Sequence, residues 1–314
     1  MALALKLVAL GYPVRALVRD RARATALEEA GVSLVQGDVR DADSVRAACG
    51  GIDIVYHLAA VFRTAGQPKS EYRSVHVDGT RLMVEASAAA GVGRFVHCST
   101  VGVHGSVDTD APATEEAPFR PGDVYQRTKL QGEEMAVATA GRLGLPLTVV
   151  RPGPIYGPGD RRFVKMIGGI VRRRFVLLGD GTPRFQMVYI DDLTEGFRLA
   201  AEVPSAVGGT YIITGNEAPT LNELVRKIAD VAQVPPPPFR LPVWPFFLAG
   251  AICEAICVPL RIEPPIYRRR VKFFTSNRWF DTSRASKELG FVSSVPLREG
   301  LSRTLESYRR LHWV

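Results

Sequence analysis

The stretch Arg94-Phe95-Val96-His97-Cys98-Ser99 decides the fold: it is a short apolar, strand-like run between two segments of helical spacing, 70–90 before it and 124–140 after it. Working outward, strand-like runs recur at 13–18, 33–36, 52–58 and 147–151, and a further helical segment lies at 43–49. Strands that alternate with helices fold as an α/β, doubly wound parallel sheet. Residues 1–10 read as an apolar helical fragment ended by Gly11. They lack the basic start and small-residue cleavage site of a signal peptide.

In such a sheet a dinucleotide pyrophosphate rests on a glycine-rich turn between the first strand and the first helix. Here residues 1–10 already read as that helix. The expectation is a Rossmann-like sheet whose first strand and loop, about 15–20 residues by usual element lengths, are missing. A truncated sequence explains this better than a natural form without the loop, which would hold a dinucleotide poorly.

The chain has 314 residues, 46% of them hydrophobic, enough for one large core or two smaller ones, and nothing in it suggests disorder. Its four cysteines form no pair of Cys-x-x-Cys motifs, which fits a reduced, cytoplasmic setting. A net charge of +8 suits acidic small molecules, membrane surfaces or nucleic acid without choosing among them.

Tyr125 and Lys129 stand four residues apart on a helix-compatible run and so share one face. An ammonium ~4 Å from a phenol at an effective dielectric of ~20 is worth about 4 kcal/mol, or roughly 3 pKa units. A Tyr so placed can exchange protons near neutral pH. The same spacing also occurs on helices where the Lys is merely solvated, so the neighbours must decide.

They do so as a set. Gly37-Asp38-Val39, His57-Leu58-Ala59-Ala60, Ser99-Thr100-Val101-Gly102-Val103-His104-Gly105 and Tyr125-Gln126-Arg127-Thr128-Lys129 each follow a strand-like run or open a helix. Arg151-Pro152-Gly153-Pro154-Ile155-Tyr156-Gly157-Pro158-Gly159-Asp160 and Val188-Tyr189-Ile190-Asp191-Asp192 come later. In this order and spacing the chain resembles the extended short-chain dehydrogenase/reductase family, also called the NAD-dependent epimerase/dehydratase family, over nearly its whole length.

The resemblance implies an enzyme with Tyr125 as general acid/base, Lys129 beside it and on the nicotinamide ribose, and Thr100 holding the substrate oxygen, with Ser99 as the alternative hydroxyl. It implies that Asp38, beside Val39, receives the adenine amino group. Leu58, Ala59 and Ala60 lie where backbone approaches a flat cofactor, and Pro152 and Ile155 would line the nicotinamide pocket. Val18 holds the place of the ribose-binding carboxylate of NAD enzymes and Arg19 follows it, so NADP is favoured over NAD, although Asp20 can still serve the ribose. His76 stands where the family often has Asn, and His104 where many members have Tyr; a proton relay and a contact with substrate are the respective functional readings, a packed ring the structural one.

Residues 1–158 and 187–215 are expected to form the dinucleotide-binding domain, and 159–186 with 216–314 a smaller substrate-binding domain. Asp191 and Asp192 read as a tie from strand to helix, since nothing nearby completes a metal site. Arg161, Arg162, Lys165, Arg172, Arg173 and Arg174, and later Arg268, Arg269, Arg270 and Lys272, make basic regions that suit either a grip on substrate phosphates or a solvated face, with aromatics too sparse for a nucleic-acid platform. The apolar run 243–260, between Pro245 and Pro259, is short of a membrane span and interrupted by Glu254. It suits a wall for an apolar substrate, a peripheral membrane contact, or a core or oligomer helix.

Val101 and Gly102 replace the Asp-Glu pair usual in sugar dehydratases of this family, and Gly153, Pro154 and Ile155 precede Tyr156 where epimerases commonly have Asn. The form of the 151–160 motif is similar to the 3-beta-hydroxysteroid dehydrogenase and dihydroflavonol reductase branches. The expected activity is therefore NAD(P)-dependent hydride transfer between nicotinamide and a secondary alcohol or ketone on a bulky, sterol- or lipid-like small molecule, by a homodimer. A nucleotide-sugar epimerase is the first alternative, and a non-catalytic dinucleotide-binding protein the second.

Overall fold

Strands and helices alternate along most of the chain in a computed structural model that describes residues 1–62, 67–257 and 268–314, the side chains of 269 and 270 excepted. The N-terminal part runs α1 (Ala2–Ala9), β1 (Arg15–Val18), α2 (Thr25–Glu29), β2 (Ser33–Gln36), α3 (Ala42–Cys49), β3 (Ile54–His57), α4 (Lys69–Arg73) and α5 (Thr80–Ala89). Next come β4 (Arg94–Cys98), α6 (Val124–Leu143), β5 (Leu147–Pro152), β6 (Ile155–Tyr156), α7 (Val164–Val171), β7 (Leu177–Leu178), β8 (Val188–Tyr189), α8 (Ile190–Glu202) and β9 (Thr210–Ile213). The remainder is α9 (Leu221–Ala232), β10 (Arg240–Leu241), α10 (Val243–Cys257), α11 (Arg268–Lys272), α12 (Ser283–Leu289) and α13 (Leu297–Arg310).

The main ladder is parallel in the order β3-β4-β5-β9. All six residues of β5 are buried, which is why 147–151 shows no alternation: the strand is covered on both faces. Val96 and Val150 point into one core with Leu193 and Phe197 of α8, while Phe95 and Val149 point into another with Val84 of α5 and Ala136 and Ala140 of α6. Neighbouring residues of one strand thus feed opposite layers, the side-chain alternation a doubly wound sheet requires.

β1 pairs with β2 alone, and among the described residues the ladder is interrupted between β1 and β3. Apolar side chains pack there instead: Leu3 and Leu7 of α1 share a cluster with Val14, Ile54 and Tyr56.

The segment read as one helix over 70–90 is three pieces, because residues Ser74–Gly79 between α4 and α5 wind as a π-helix. Thr80 Oγ1 donates to the His76 carbonyl (2.8 Å), a local side-chain bond that competes with the regular ladder.

A further core lies beyond Tyr156, where Ile167 and Ile170 of α7, Leu224 and Ile228 of α9 and Leu301 and Leu305 of α13 pack together. α9 opens with a capping box between Thr220 and Glu223. Buried Asp192 does not tie a strand to its helix as its sequence position suggests. It holds the turn before α13, accepting from Ser293 Oγ (2.9 Å), Ser294 N (3.0 Å), Ser294 Oγ (2.8 Å) and Val295 N (3.2 Å). Asp191 is exposed. Of the apolar run 243–260, Val258, Pro259 and Leu260 lie outside the described residues, as do the side chains of Arg269 and Arg270. No helix among the described residues is long and apolar enough to cross a membrane.

Candidate active site

Parallel strands put their carboxyl ends on one side, so His57-Leu58-Ala59-Ala60 at the end of β3, Ser99-Thr100 after β4 and Pro152-Gly153 at the end of β5 lie along the same edge of the sheet, the edge at which α/β folds bind ligands. α6 enters there. Asp123 caps it by accepting from Gln126 N (2.9 Å), which sets Tyr125 in the first turn and Lys129 one turn deeper. The Tyr125 ring is held edge-on by His76 (centroids 5.4 Å apart, 85°) and Phe62 (6.0 Å, 68°).

Lys129 is 3% exposed and its Nζ donates to the Cys98 carbonyl at 2.5 Å. Burial draws its pKa below the ordinary lysine value. One residue past Cys98 the Ser99 hydroxyl is buried and, among the described residues, has no hydrogen-bond partner, whereas the half-buried Thr100 accepts from Gly102 N (3.0 Å) and meets no acceptor for its own O–H among those residues. Gly102 packs on α6: a Cβ there would stand 3.1 Å from Gln126 Nε2. The structure thus brings the Thr100 turn against the first turns of α6, and ties Lys129 to the end of β4.

His76 is 1% exposed. Val61 N–H donates to its Nε2 (3.0 Å), so the remaining proton sits on Nδ1 and is given to Thr128 Oγ1 (2.8 Å), which in turn donates to the Val124 carbonyl (2.8 Å). The ring is a neutral clamp between the loop after β3 and α6, and the packed reading of this position holds. Burial and nearby Lys129 push its pKa to about 3, and burial, Lys129 and His76 do the same to His57.

His104 is likewise 2% exposed, packed as the structural reading of this position expects. Its Nδ1 donates to the Ala117 carbonyl (2.9 Å) and its Nε2 accepts from Arg151 Nη1 (3.2 Å). Arg151 also donates to the Glu115 carbonyl (2.8 Å) and forms a buried pair with Glu133 of α6, Nε to both oxygens at 3.2 Å. Sequence reasoning missed this network: only Arg151 and His104 fell in quoted motifs, and neither motif announces Glu133 as the partner.

Beyond the end of β1, Arg19 is exposed and lines a shallow hollow of about 450 Å³ with Val18, Asp20, Arg23, Ala24 and Leu27. Asp20 is engaged locally, accepting from Ala22 N (3.0 Å) and pairing with Arg23 (3.3 Å). Arg40 grips Asp38 through Nε (2.9 Å) and Nη2 (2.7 Å) and reaches Glu71 (3.0 Å), and this hydrogen bonding holds the Asp38 carboxyl below its usual pKa. Val39 packs against Gly79, where a Cβ would stand 3.0 Å from Val39 Cγ2. Leu58 and Ala60 are exposed, Ala59 and Ile155 partly so, and Pro152 is buried. The Arg19 guanidinium in this hollow and, separately, the small residues beyond β3 are the groups here that could meet a dinucleotide.

A family model described as NAD dependent epimerase/dehydratase family matches residues 1–214. The chain is 30% identical over 310 residues to 2-alkyl-3-oxoalkanoate reductase of Stenotrophomonas maltophilia, covering 95% of this chain and 92% of that protein. It is 29% identical over 304 residues to 3beta-hydroxysteroid-dehydrogenase/decarboxylase isoform 2 of Arabidopsis thaliana, covering 89% of this chain and 52% of the relative, so it spans about half that relative's length. Among solved structures, MoeE5 in complex with UDP-glucose and NAD superposes with a TM-score of 0.77 at 25% identity, covering 99% of this chain and 95% of that one.

Proposed function

Because the chain belongs to the NAD dependent epimerase/dehydratase family, we propose that it is an oxidoreductase moving a hydride between nicotinamide and a secondary alcohol or ketone on a bulky, sterol- or lipid-like substrate. The observation that carries this reading is Tyr125 in the first turn of α6, with Lys129 buried one turn below it and the Thr100 turn packed beside it. Bound nicotinamide supplies the hydride donor or acceptor. Tyr125 gives a proton to the substrate oxygen or takes it away, and the free O–H of Thr100 steadies that oxygen. Ser99 is the alternative hydroxyl. Lys129, held at the Cys98 carbonyl, lowers the cost of the phenolate. A bound nicotinamide ribose would be its second partner.

The remaining proposed cofactor contacts are Arg19, Asp38, Val39, Leu58, Ala59, Ala60, Pro152 and Ile155. With Asp20 engaged locally and Arg19 facing the hollow, a ribose 2′-phosphate finds a guanidinium, which supports NADP over NAD. The names of two relatives, a 3beta-hydroxysteroid dehydrogenase and a 2-alkyl-3-oxoalkanoate reductase, support the apolar substrate class. Residues 1–158 with 187–215 then hold the cofactor, and 159–186 with 216–314 the substrate. A cytoplasmic homodimer that meets its substrate at a membrane surface belongs to the same reading. The second reading, a nucleotide-sugar epimerase, draws on the UDP-glucose bound to MoeE5 and uses the same Tyr, Lys and Thr.

Titrating the protein with NADPH and NADH, and assaying 3-hydroxysteroids, 3-oxoalkanoates and UDP-glucose, separates these readings. Tyr125→Phe is expected to lower turnover by about 100-fold or more while nicotinamide affinity stays within about twofold. Undiminished turnover in that variant would remove the proposed mechanism.

A further inference from the structure

α10 reverses the usual rule for a surface helix. Only Gly250 is buried in it, and Trp244, Leu248, Ile252 and Ile256, spaced four apart on one stripe, are 70%, 55%, 51% and 57% exposed. Phe239 and Leu241, in and beside β10, extend the exposed apolar surface. Contiguous apolar surface of this kind marks an interaction site.

Charge indicates what covers it. Glu254, the one ionised residue of α10, is neutralised by Arg268, whose Nε and backbone N each donate to its carboxylate at 2.8 Å. Lys272 lies on α11, which packs against α10, and Arg173 and Arg174 lead into β7, the strand paired with β10. These three cations are exposed and have no acidic partner among the described residues. Asp180, exposed just past the end of β7, is an acidic neighbour of this face, and the three unpaired cations on the adjoining elements outnumber it. An apolar stripe without a bare charge of its own, beside a net positive surround, has the composition of an interfacial helix on an anionic lipid surface. Two copies meeting through this face would bring like-charged rims together.

We propose that α10 and β10 seat this protein on anionic membranes, the helix lying in the plane of the interface with Trp244, Leu248, Ile252 and Ile256 in the acyl boundary. At 15 residues it is about 22 Å long, short of a ~30 Å hydrocarbon core, so it lies on the bilayer and does not cross it. In purpose this rests on the proposed apolar substrate, which partitions into membranes; the docking itself does not depend on it.

The test is sedimentation of the full chain with phosphatidylcholine vesicles, with and without phosphatidylglycerol, in the absence of substrate and cofactor. Binding is expected to be at least about tenfold tighter to the anionic vesicles, to weaken with salt, and to blue-shift tryptophan emission. Trp244→Glu with Leu248→Glu should abolish binding, and Arg174→Glu with Lys272→Glu should abolish the preference for anionic lipid. Should the variants fold poorly, quenching of wild-type tryptophan by brominated lipid reads insertion without them. Three results would overturn the proposal: wild type remaining in the supernatant with anionic vesicles, vesicle binding unchanged in the folded apolar-stripe variant, or a lipid-free dimer that the same variant splits. Vesicle binding without turnover of any sterol or oxoalkanoate would strike the substrate reading alone.

Discussion

His76 shows how much a single side chain can fix without touching the chemistry. One ring nitrogen accepts a hydrogen bond from Val61 N–H and the other donates to Thr128, so the loop after β3 and α6 share one rigid strut against which the Tyr125 ring leans. His76→Phe keeps an aromatic face but strands the Val61 amide and removes two buried hydrogen bonds. It should cost about 2–3 kcal/mol in urea unfolding, a loss that His76→Gln, which retains an acceptor and a donor, partly restores. The Tyr125–Lys129 spacing was legible from sequence because a helix repeats locally. The role of His76 was not, because its partner Thr128 is 52 residues away and only the packed fold joins them.

At the scale of elements, α6 and the π-helical stretch approach so closely that Gly132 has no room for a side chain. A Cβ there would lie 2.0 Å from the His76 carbonyl oxygen. Helix propensity alone favours Gly132→Ala by about 1 kcal/mol, yet the obstacle is backbone and cannot swing away, so the clash decides the sign. The expected result is a net loss of about 1–3 kcal/mol in denaturant midpoint experiments, with turnover reduced because Tyr125 rides on the displaced helix. The helix itself could be read from its spacing and its Asp123 cap. The glycine contact and the π-helical turn could not, since both arise from two segments competing for one space.

For the whole molecule, the parallel sheet was legible because its strands are apolar runs cut by turn residues, and 33–36 is observed with the expected bounds. The separate β1–β2 ladder was not, since strand pairing depends on which edges meet. The sheet also buries titratable rings. His57 and His76 are held neutral with pKa values near 3, and burial lowers His97 in the same direction. The unfolded chain binds protons at these rings from about pH 6.5 downward while the folded chain does not, so stability is present above that value and is lost as pH falls from about 6.5 toward 3. His57 and His76 should each remove ~1.5 kcal/mol between pH 6.5 and 5, visible as a falling urea midpoint with no change in slope, and His97 acts in the same direction. The buried Arg151–Glu133 pair bears on a different matter, the paths by which such a sequence can change. Replacing either partner alone leaves a buried charge with nothing opposite, at about 3–5 kcal/mol. Replacing both with apolar residues of similar volume removes that charge, although it leaves the Glu115 carbonyl and His104 Nε2 without the donors of Arg151 and so costs less without being neutral. One-step mutational neighbours at 133 and 151 are therefore closed to this fold while some two-step neighbours are open, and drift at the two positions must proceed in tandem.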